Sequence, residues 1–221
     1  MKTAPRLRGG VGVRVASLFA GLVTIGAAIV ALLESHLGLA PWDVFHLGIA
    51  AHGPLTIGTA SIVVGLAVLL VAWALGQPPG FGTVANAVVI GAVVEVLRRL
   101  PWVARLSEAG VWQRGGLLLL GVALFGLGSA LYIGAGLGAG PRDSLMLVLA
   151  RRLGVRIALV RIGLEAAALG AGWALGGAVG VGTAAVALCL GPSVEASFRL
   201  FLRLGLAEPV PVHTPVRAPV V

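Results

Sequence analysis

Apolar residues fall into long runs separated by short polar, proline-containing or glycine-rich breaks. The pattern predicts eight helices in two groups of four: about 13–33, 41–52, 56–75 and 83–97, then about 115–133, 141–153, 156–175 and 183–201. A helix of about 20 apolar residues crosses a hydrocarbon core of about 30 Å. The second helix of each group is too short, because about 12 residues reach only about 18 Å. We therefore predict an all-α polytopic membrane protein whose halves each hold three long transmembrane helices and one short, broken or half-membrane helix.

The composition agrees with a surface that faces lipid. Of the 221 residues, 58% are hydrophobic and 11% are charged, whereas about a quarter of a soluble domain is charged. So few charges do not cover a water-facing surface, and the expected partner is the lipid bilayer. The net charge of +8 comes from basic residues at the ends of apolar runs rather than along one stripe, which argues against a nucleic-acid partner.

The two halves are predicted to be copies of one another at an offset of 100 residues. An ungapped comparison of 15–100 with 115–200 gives about 27 identities in 86 positions. Leu37-Gly38-x-x-Pro41-x-Asp43 returns as Leu137-Gly138-x-x-Pro141-x-Asp143, Gly80-x-Gly82-Thr83 as Gly180-x-Gly182-Thr183, and Gly91-x-x-x-Glu95 as Gly191-x-x-x-Glu195. Chance matches between apolar segments do not produce this set, so we predict a tandem repeat.

The repeat divides the chain into five parts. We predict a disordered cytoplasmic N-terminus over 1–12, a first repeat over 13–100, a cytoplasmic linker over 101–114, a second repeat over 115–203 and a disordered, proline-rich tail over 208–221. The sequence does not indicate an oligomeric state.

Basic residues predict the orientation of the helices, because cytoplasmic loops are enriched in arginine and lysine. If both short helices cross the membrane, the two chain ends, the linker and the turn after residue 150 are all cytoplasmic, and only Arg142 is extracytoplasmic. If they do not cross, four linker arginines move to the other face: Arg98, Arg99, Arg105 and Arg114. The count favours crossing, which makes the halves parallel and leaves both chain ends in the cytoplasm.

Several motifs lie in order between Leu18 and Leu200. They are Gly38-Leu-Ala-Pro41-Trp42-Asp43-Val44, Gly140-Pro141-Arg142-Asp143-Ser144-Leu145-Met146, Arg161 with Glu165, the segment from Leu175 to Thr183, and Gly191-Pro192. Together they resemble the YczE/YyaS/YitT group of bacterial integral membrane proteins, and its YczE branch most closely. The resemblance implies a multi-pass helical protein of the bacterial cytoplasmic membrane and no particular activity.

Ionisable residues inside membrane segments are costly, so they are the candidate substrate-binding residues. They are Asp43, Asp143, Arg142, Arg161 and Glu165. Asp43 and Asp143 each lie third in a short helix opened by proline, where a carboxylate caps unpaired N–H groups. Each is interpreted either as a structural cap or as a cap that also lines a polar cavity. Arg142 stands where the first half has Trp42, and it suits either a salt bridge or an anionic substrate group.

Arg161 and Glu165 are four residues apart and share one helix face, whereas their counterparts Ser61 and Gly65 are uncharged. An internal ion pair is the favoured interpretation, and a proton or ion relay is the alternative. The same spacing predicts two further ion pairs, Glu95 with Arg99 and Glu195 with Arg199.

The sequence predicts no catalytic, metal or cofactor site. No Gly-x-Ser-x-Gly pattern is present, and the serines lack a recognisable base. His36, His46 and His52 do not have metal-ligand spacing, and Cys189 is a single thiol in an apolar run. We expect a protein that is not an enzyme.

Two functions fit these features. The first is a small-solute permease with a cavity between the two halves, as in transporters that use half-helices. The second is a non-transporting membrane scaffold or accessory protein. A polar cavity that reaches Asp43, Asp143 and Arg142 favours transport, whereas a dry, close-packed interface argues against it.

Overall fold

The long apolar runs form helices of the length that a bilayer requires. The computed structural model describes residues 4–108 and 110–209, and within these ranges six helices are long and apolar enough to cross a membrane. The helices are α1 (Val11–Ser35), α2 (Pro41–Ala50), α3 (Ile57–Ala74), α4 (Phe81–Arg98), α5 (Pro101–Ala104), which a 3-10 turn (Arg105–Glu108) follows, α6 (Val111–Ala135), α7 (Pro141–Leu153), α8 (Ile157–Ala174) and α9 (Val181–Arg203). The prediction of an all-α membrane protein with three long helices and one short helix per half is confirmed.

α1 and α6 pack against each other and run in opposite directions. The Arg14 guanidinium, near the start of α1, donates hydrogen bonds of 2.7 and 2.8 Å to the carbonyl oxygens of Ala135 and Gly136, at the end of α6. We term this end of the bundle the termini face. The opposite end, where Ser35 and Arg98 lie, is termed the linker face.

This arrangement contradicts the predicted crossing of the short helices. Three crossings in each half give the halves opposite orientations and place the linker on the face opposite to the chain termini, so the predicted parallel arrangement is wrong. The positive-inside rule describes an excess of basic residues rather than their complete segregation, and the structure keeps an excess. Among the described residues, the linker face has the four arginines of the linker, whereas eight arginines lie toward the termini face. These eight are Arg6, Arg8, Arg14, Arg151, Arg152, Arg156, Arg199 and Arg203.

The segment that contains α2 enters the bundle from the linker face and returns to it. Trp42, at the start of α2, packs with Val64 and Ala168, near the middle of α3 and α8. Gly48, near the end of α2, lies against Gly172, in the last turn of α8. α2 is therefore a half-membrane helix whose N-terminus lies inside the bundle.

α7 is the corresponding half-membrane helix on the termini face. Its last turn lies beside the end of α3, where Arg152 donates a hydrogen bond of 3.0 Å to the Leu75 carbonyl and Arg151 donates one to the Gln77 side chain. Its first turn lies inside the bundle, near the first turn of α2. The N-termini of the two half-helices therefore point toward each other.

Backbone groups in the breaks before α2 and α7 are bonded by the opposite half. The Leu37 carbonyl accepts a hydrogen bond of 2.6 Å from the Gly182 N–H, and the Leu137 carbonyl accepts one of 2.9 Å from the Gly82 N–H. Broken backbone is tolerated at membrane depth only when protein covers it. The motifs Leu-Gly-x-x-Pro and Gly-x-Gly-Thr, which recur in each half, are thus partners in space across the halves.

Glycine is required in the middle of each break. Gly38 and Gly138 have φ angles of +124° and +139°, which side-chain-bearing residues rarely adopt. A Cβ on Gly38 would lie 2.7 Å from Thr183 Oγ1, and the Leu39 N–H donates to that hydroxyl at 3.2 Å. Any larger residue would push the break away from the helix that covers it.

The two halves differ in the packing of their last two helices. In the first half, glycines let α3 and α4 touch: a Cβ on Gly58 would lie 2.6 Å from the Gly91 carbonyl oxygen, and one on Gly65 would lie 3.3 Å from the α4 backbone. The second half has Ala158 and Glu165 at the positions of these two glycines. A side chain at either position would occupy the space that close packing of α8 on α9 would need.

A gap therefore separates α8 from α9. Beyond its own helix, no described atom lies within 4 Å of a Cβ built on Gly191, the counterpart of Gly91. α9 packs instead on α6, where Ser193 Oγ donates a hydrogen bond of 3.0 Å to the Val122 carbonyl. A short turn joins α8 and α9 at the linker face, so the two helices are held close to each other at that end.

The structure differs from the predicted disorder of the N-terminus over residues 4–12, and residues 1–3 lie outside the described residues. Strand β1 (Arg6–Leu7) pairs antiparallel with β2 (Ala207–Glu208), which places the two ends of the described chain side by side. The Leu7 side chain packs against Phe198. Its removal from water stabilises the ordered strand, because burial of apolar surface is favourable. The predicted linker also contains the short helix α5. Most of the predicted tail, residues 210–221, lies outside the described residues.

Reporter insertions test the opposed orientation of the halves. A cytoplasm-active reporter and an extracytoplasm-active reporter, each inserted after Leu100 and at both chain ends, are expected to place Leu100 on one side and both ends on the other. Three crossings separate the N-terminus from the linker, and three more separate the linker from the C-terminus. All three sites on the same side would contradict the fold and restore the parallel arrangement.

A matched pair of substitutions tests the different packing of the halves. Gly91→Ala is expected to lower the thermal denaturation midpoint of the purified protein, since its Cβ would lie 2.5 Å from the Gly58 carbonyl oxygen and overpacking costs about 1–3 kcal/mol. Gly191→Ala, at the corresponding position, is expected to leave the midpoint unchanged or raised. Equal losses in the two variants would show that α9 packs on α8 as α4 packs on α3.

Candidate functional site

A cavity of about 910 Å³ lies between the first turns of the two half-helices and the gap between α8 and α9. Four of the five predicted site residues line it: Arg142, Asp143, Arg161 and Glu165. The fifth, Asp43, is 1% exposed and lies behind the wall, next to Arg142. The structure thus brings all five together around a cavity that both halves line.

Arg142 connects the first turns of the two half-helices. Its Nη2 lies 3.9 Å from Asp43 Oδ1, and its guanidinium stacks 4.9 Å from the centre of the Trp42 ring. His46 Nδ1 lies 3.4 Å from the same carboxylate oxygen of Asp43. The second oxygen, Oδ2, is buried and has no hydrogen-bond partner among the described residues. Asp43 therefore acts here as the buried partner of Arg142 and His46 rather than as the predicted N-terminal cap.

Asp143 lies in a polar cluster that the sequence interpretation missed. A Cβ on Gly140 would lie 3.3 Å from the Tyr132 hydroxyl, 3.5 Å from Asp143 Oδ2 and 3.7 Å from Asn86 Oδ1, so this glycine leaves room for all three groups. The Asp143 carboxylate lies in the first turn of α7, beside the Gly140 backbone. Tyr132 donates a hydrogen bond of 3.2 Å to the Gly138 carbonyl.

The comparison of the halves contains a signal that identifies this cluster. Tyr132 and Asn86 are polar, whereas their counterparts at the same offset, Leu32 and Val186, are apolar and buried. The single tyrosine of the chain and a polar amide in an apolar run therefore mark the polar side of the site.

Arg161 and Glu165 both line the cavity, but they do not form the predicted ion pair. Among the described residues, neither takes part in a salt bridge within 4.0 Å or in a side-chain hydrogen bond. The other two predicted pairs are confirmed, with 2.9 Å between Arg99 and Glu95 and 2.8 Å between Arg199 and Glu195. In both, the glutamate precedes the arginine, which is the favourable order along a helix. Arg161 precedes Glu165, and both side chains face the open cavity instead.

The cavity continues into the gap between α8 and α9. Leu188 and Ile162 belong to its lining, yet they are 75% and 65% exposed. In the first half, the corresponding gap is closed by the contact between Gly58 and Gly91. The site is therefore open on the side of the second half and closed on the side of the first.

These features define a class of protein: a helical membrane protein with six spans in its described ranges, in which two half-helices enter from opposite faces and meet at a charged internal cavity. The sequence profile of a family of unknown function, DUF6198, matches residues 12–199. The chain belongs to this family.

Two relatives cover most of the chain. It is 34% identical over 200 residues to the "Uncharacterized membrane protein YczE" of Bacillus subtilis (strain 168), covering 87% of this chain and 85% of the relative. It is 35% identical over 188 residues to an "Uncharacterized protein" of Haemophilus influenzae (strain ATCC 51907 / DSM 11121 / KW20 / Rd), covering 85% and 84%. The predicted resemblance to the YczE group is thereby confirmed. No solved structure matches the chain.

A double-mutant cycle tests the contact between the half-helices. Arg142→Ala leaves the buried Asp43 carboxylate without its cation, and we expect a loss of about 1–3 kcal/mol in stability, seen as a lower thermal denaturation midpoint. Asp43→Asn removes the buried charge, so Arg142→Ala is expected to cost much less in that background. Additive losses would show that the two side chains do not interact.

Proposed function

We propose that this protein is a small-solute permease whose substrate site is the cavity between the half-helices. The observation that carries the proposal is the charged cavity at the point where the N-termini of α2 and α7 converge. Ionisable side chains at membrane depth are costly, and where they line a cavity beside helix N-termini they mark substrate or ion pathways. Transporters built from opposed half-helices place their substrates at such points.

The predicted duplication supports the same function. The reciprocal contacts between the breaks and the helix starts, Leu37 with Gly182 and Leu137 with Gly82, are what an inverted repeat would produce. Inverted halves give a transporter two gates of similar construction, one for each face. The open gap between α8 and α9, with the α3–α4 contact closed, then corresponds to a state open toward the termini face.

We further propose that the termini face is cytoplasmic, in the cytoplasmic membrane of a bacterium. The excess of arginines toward this face supports the orientation. Both chain ends would then be cytoplasmic and the linker extracytoplasmic. The gap between α8 and α9 would open toward the cytoplasm.

Flux into proteoliposomes tests transport. With a panel of small metabolites, the wild-type protein is expected to raise the uptake of at least one solute above that of protein-free liposomes. Asp143→Asn and Arg142→Ala are expected to lower that uptake about tenfold or more, since each loses a charged hydrogen-bonding group worth about 1.5–3 kcal/mol. Arg99→Gln, which alters an exposed arginine of the linker face outside the cavity, is the matched control.

Cysteine accessibility tests the same proposal without knowledge of the substrate. In a Cys189→Ala background, Ser61→Cys places a thiol in the cavity wall. A membrane-impermeant thiol reagent is expected to label it from both faces in sealed vesicles, because a permease exposes its site alternately. Labelling from neither face or from one face alone, together with unchanged flux in the variants, would favour a non-transporting scaffold or accessory protein.

A further inference from the structure

Two oppositely charged residues of the cavity wall form no salt bridge within 4.0 Å in the part of the chain that the structure describes. Arg161 and Glu165 lie one turn apart on the same face of α8, and both line the cavity. Neither forms an ion pair or a side-chain hydrogen bond among the described residues, although their spacing permits a pair. A guanidinium and a carboxylate exposed in this way at membrane depth are expensive without a ligand.

The other charged groups of the site have contacts of their own. Arg142 and His46 lie against Asp43. Asp143 lies in the first turn of α7, where the helix N-terminus contributes about half a positive charge. Arg161 and Glu165 are therefore the oppositely charged pair of the lining that is most available to a ligand.

We propose that the cavity binds a zwitterionic ligand, with its anionic group on Arg161 and its ammonium group on Glu165. The inference rests on the proposed function, since it names the substrate class of the same cavity. Cβ atoms at helix positions i and i+4 are about 6 Å apart, so the two side chains can reach the opposite ends of one small zwitterion. A plain anion would leave Glu165 unpaired, and a plain cation would leave Arg161 unpaired.

The gap between α8 and α9 admits a ligand with an apolar part. Ile162 and Leu188 on its rim are exposed and apolar, and the gap meets the cavity beside Arg161 and Glu165. The zwitterion therefore comes either from the aqueous phase or from the head of a membrane lipid. The shared chemistry is an anion and an ammonium group held a few ångströms apart.

Two matched sets of compounds test the proposal with the purified full-length protein. The soluble set is alanine, propionate and ethylamine, and the lipid set is short-chain phosphatidylethanolamine, phosphatidylglycerol and a dialkyl trimethylammonium lipid. Binding is measured by ligand-dependent thermal stabilisation and by native mass spectrometry. The zwitterion of at least one set is expected to bind at least about tenfold more tightly than the anion and cation of that set, because only it pairs both charges.

Variants assign the two contacts. Arg161→Gln is expected to weaken zwitterion binding about tenfold or more and to turn the preference toward the cation, whereas Glu165→Gln should turn it toward the anion. Arg156→Gln, on the same helix but outside the cavity lining, should change binding less than about twofold. Zwitterion preference in the lipid set alone identifies a lipid head, and preference in the soluble set alone identifies an aqueous solute.

Failure of this inference is distinguishable from failure of the permease proposal. No zwitterion preference in either set, or an equal effect of Arg156→Gln and Arg161→Gln, overturns the zwitterionic site. If flux of an anion or a cation is then found and depends on Asp143, the permease stands and only its substrate class changes. If neither flux nor selective binding is found, both proposals fall.

Discussion

Most of the structure depends on one constraint: a peptide backbone that leaves its helix inside a membrane must find hydrogen-bond partners in protein rather than in water. Each half breaks its chain before a half-helix, and each break is bonded by the start of the last helix of the other half, through Leu37 to Gly182 and Leu137 to Gly82. Neither half can therefore keep its half-helix without the other. The contact also requires a residue without a side chain in each break, and Gly38 and Gly138 supply it.

The position of the charged site follows from this contact. Because the breaks are held inside the bundle, the proline-led first turns of both half-helices begin there, and the residues one or two positions after each proline meet. Asp43 and Arg142 come from opposite halves and lie 3.9 Å apart. Polar groups that would be intolerable against lipid are covered here by protein on most sides. The cavity that remains is open where α8 stands away from α9.

The sequence predicts the helices, their bounds and the half-membrane lengths well, because apolar runs and chain rise are local quantities. The sequence does not determine the relative direction of the two halves across the membrane. That direction depends on whether the short helices cross, and this depends on contacts between residues far apart in the chain, such as Leu39 with Thr183. The charged residues of the site are predictable because ionisable groups in apolar runs are rare. The contacts of these residues are less predictable. The spacing of Arg161 and Glu165 suggests an ion pair, and only the structure shows that both side chains line the cavity instead. Asn86 and Tyr132 are visible in the sequence only when the two halves are compared position by position.

The opposed orientation of the halves gives the substitutions between them a meaning that parallel halves would not have. In a perfectly symmetric inverted pair, the two membrane faces of the molecule would have the same structure and would be equivalent. Replacement of Gly65 by Glu165 and of Gly58 by Ala158 changes one half alone. The difference between the halves therefore makes the two faces of the bundle unlike. Ala158 and Glu165 add side chains to α8 where α3 has none, and the site is open on the side of the second half and closed on the side of the first.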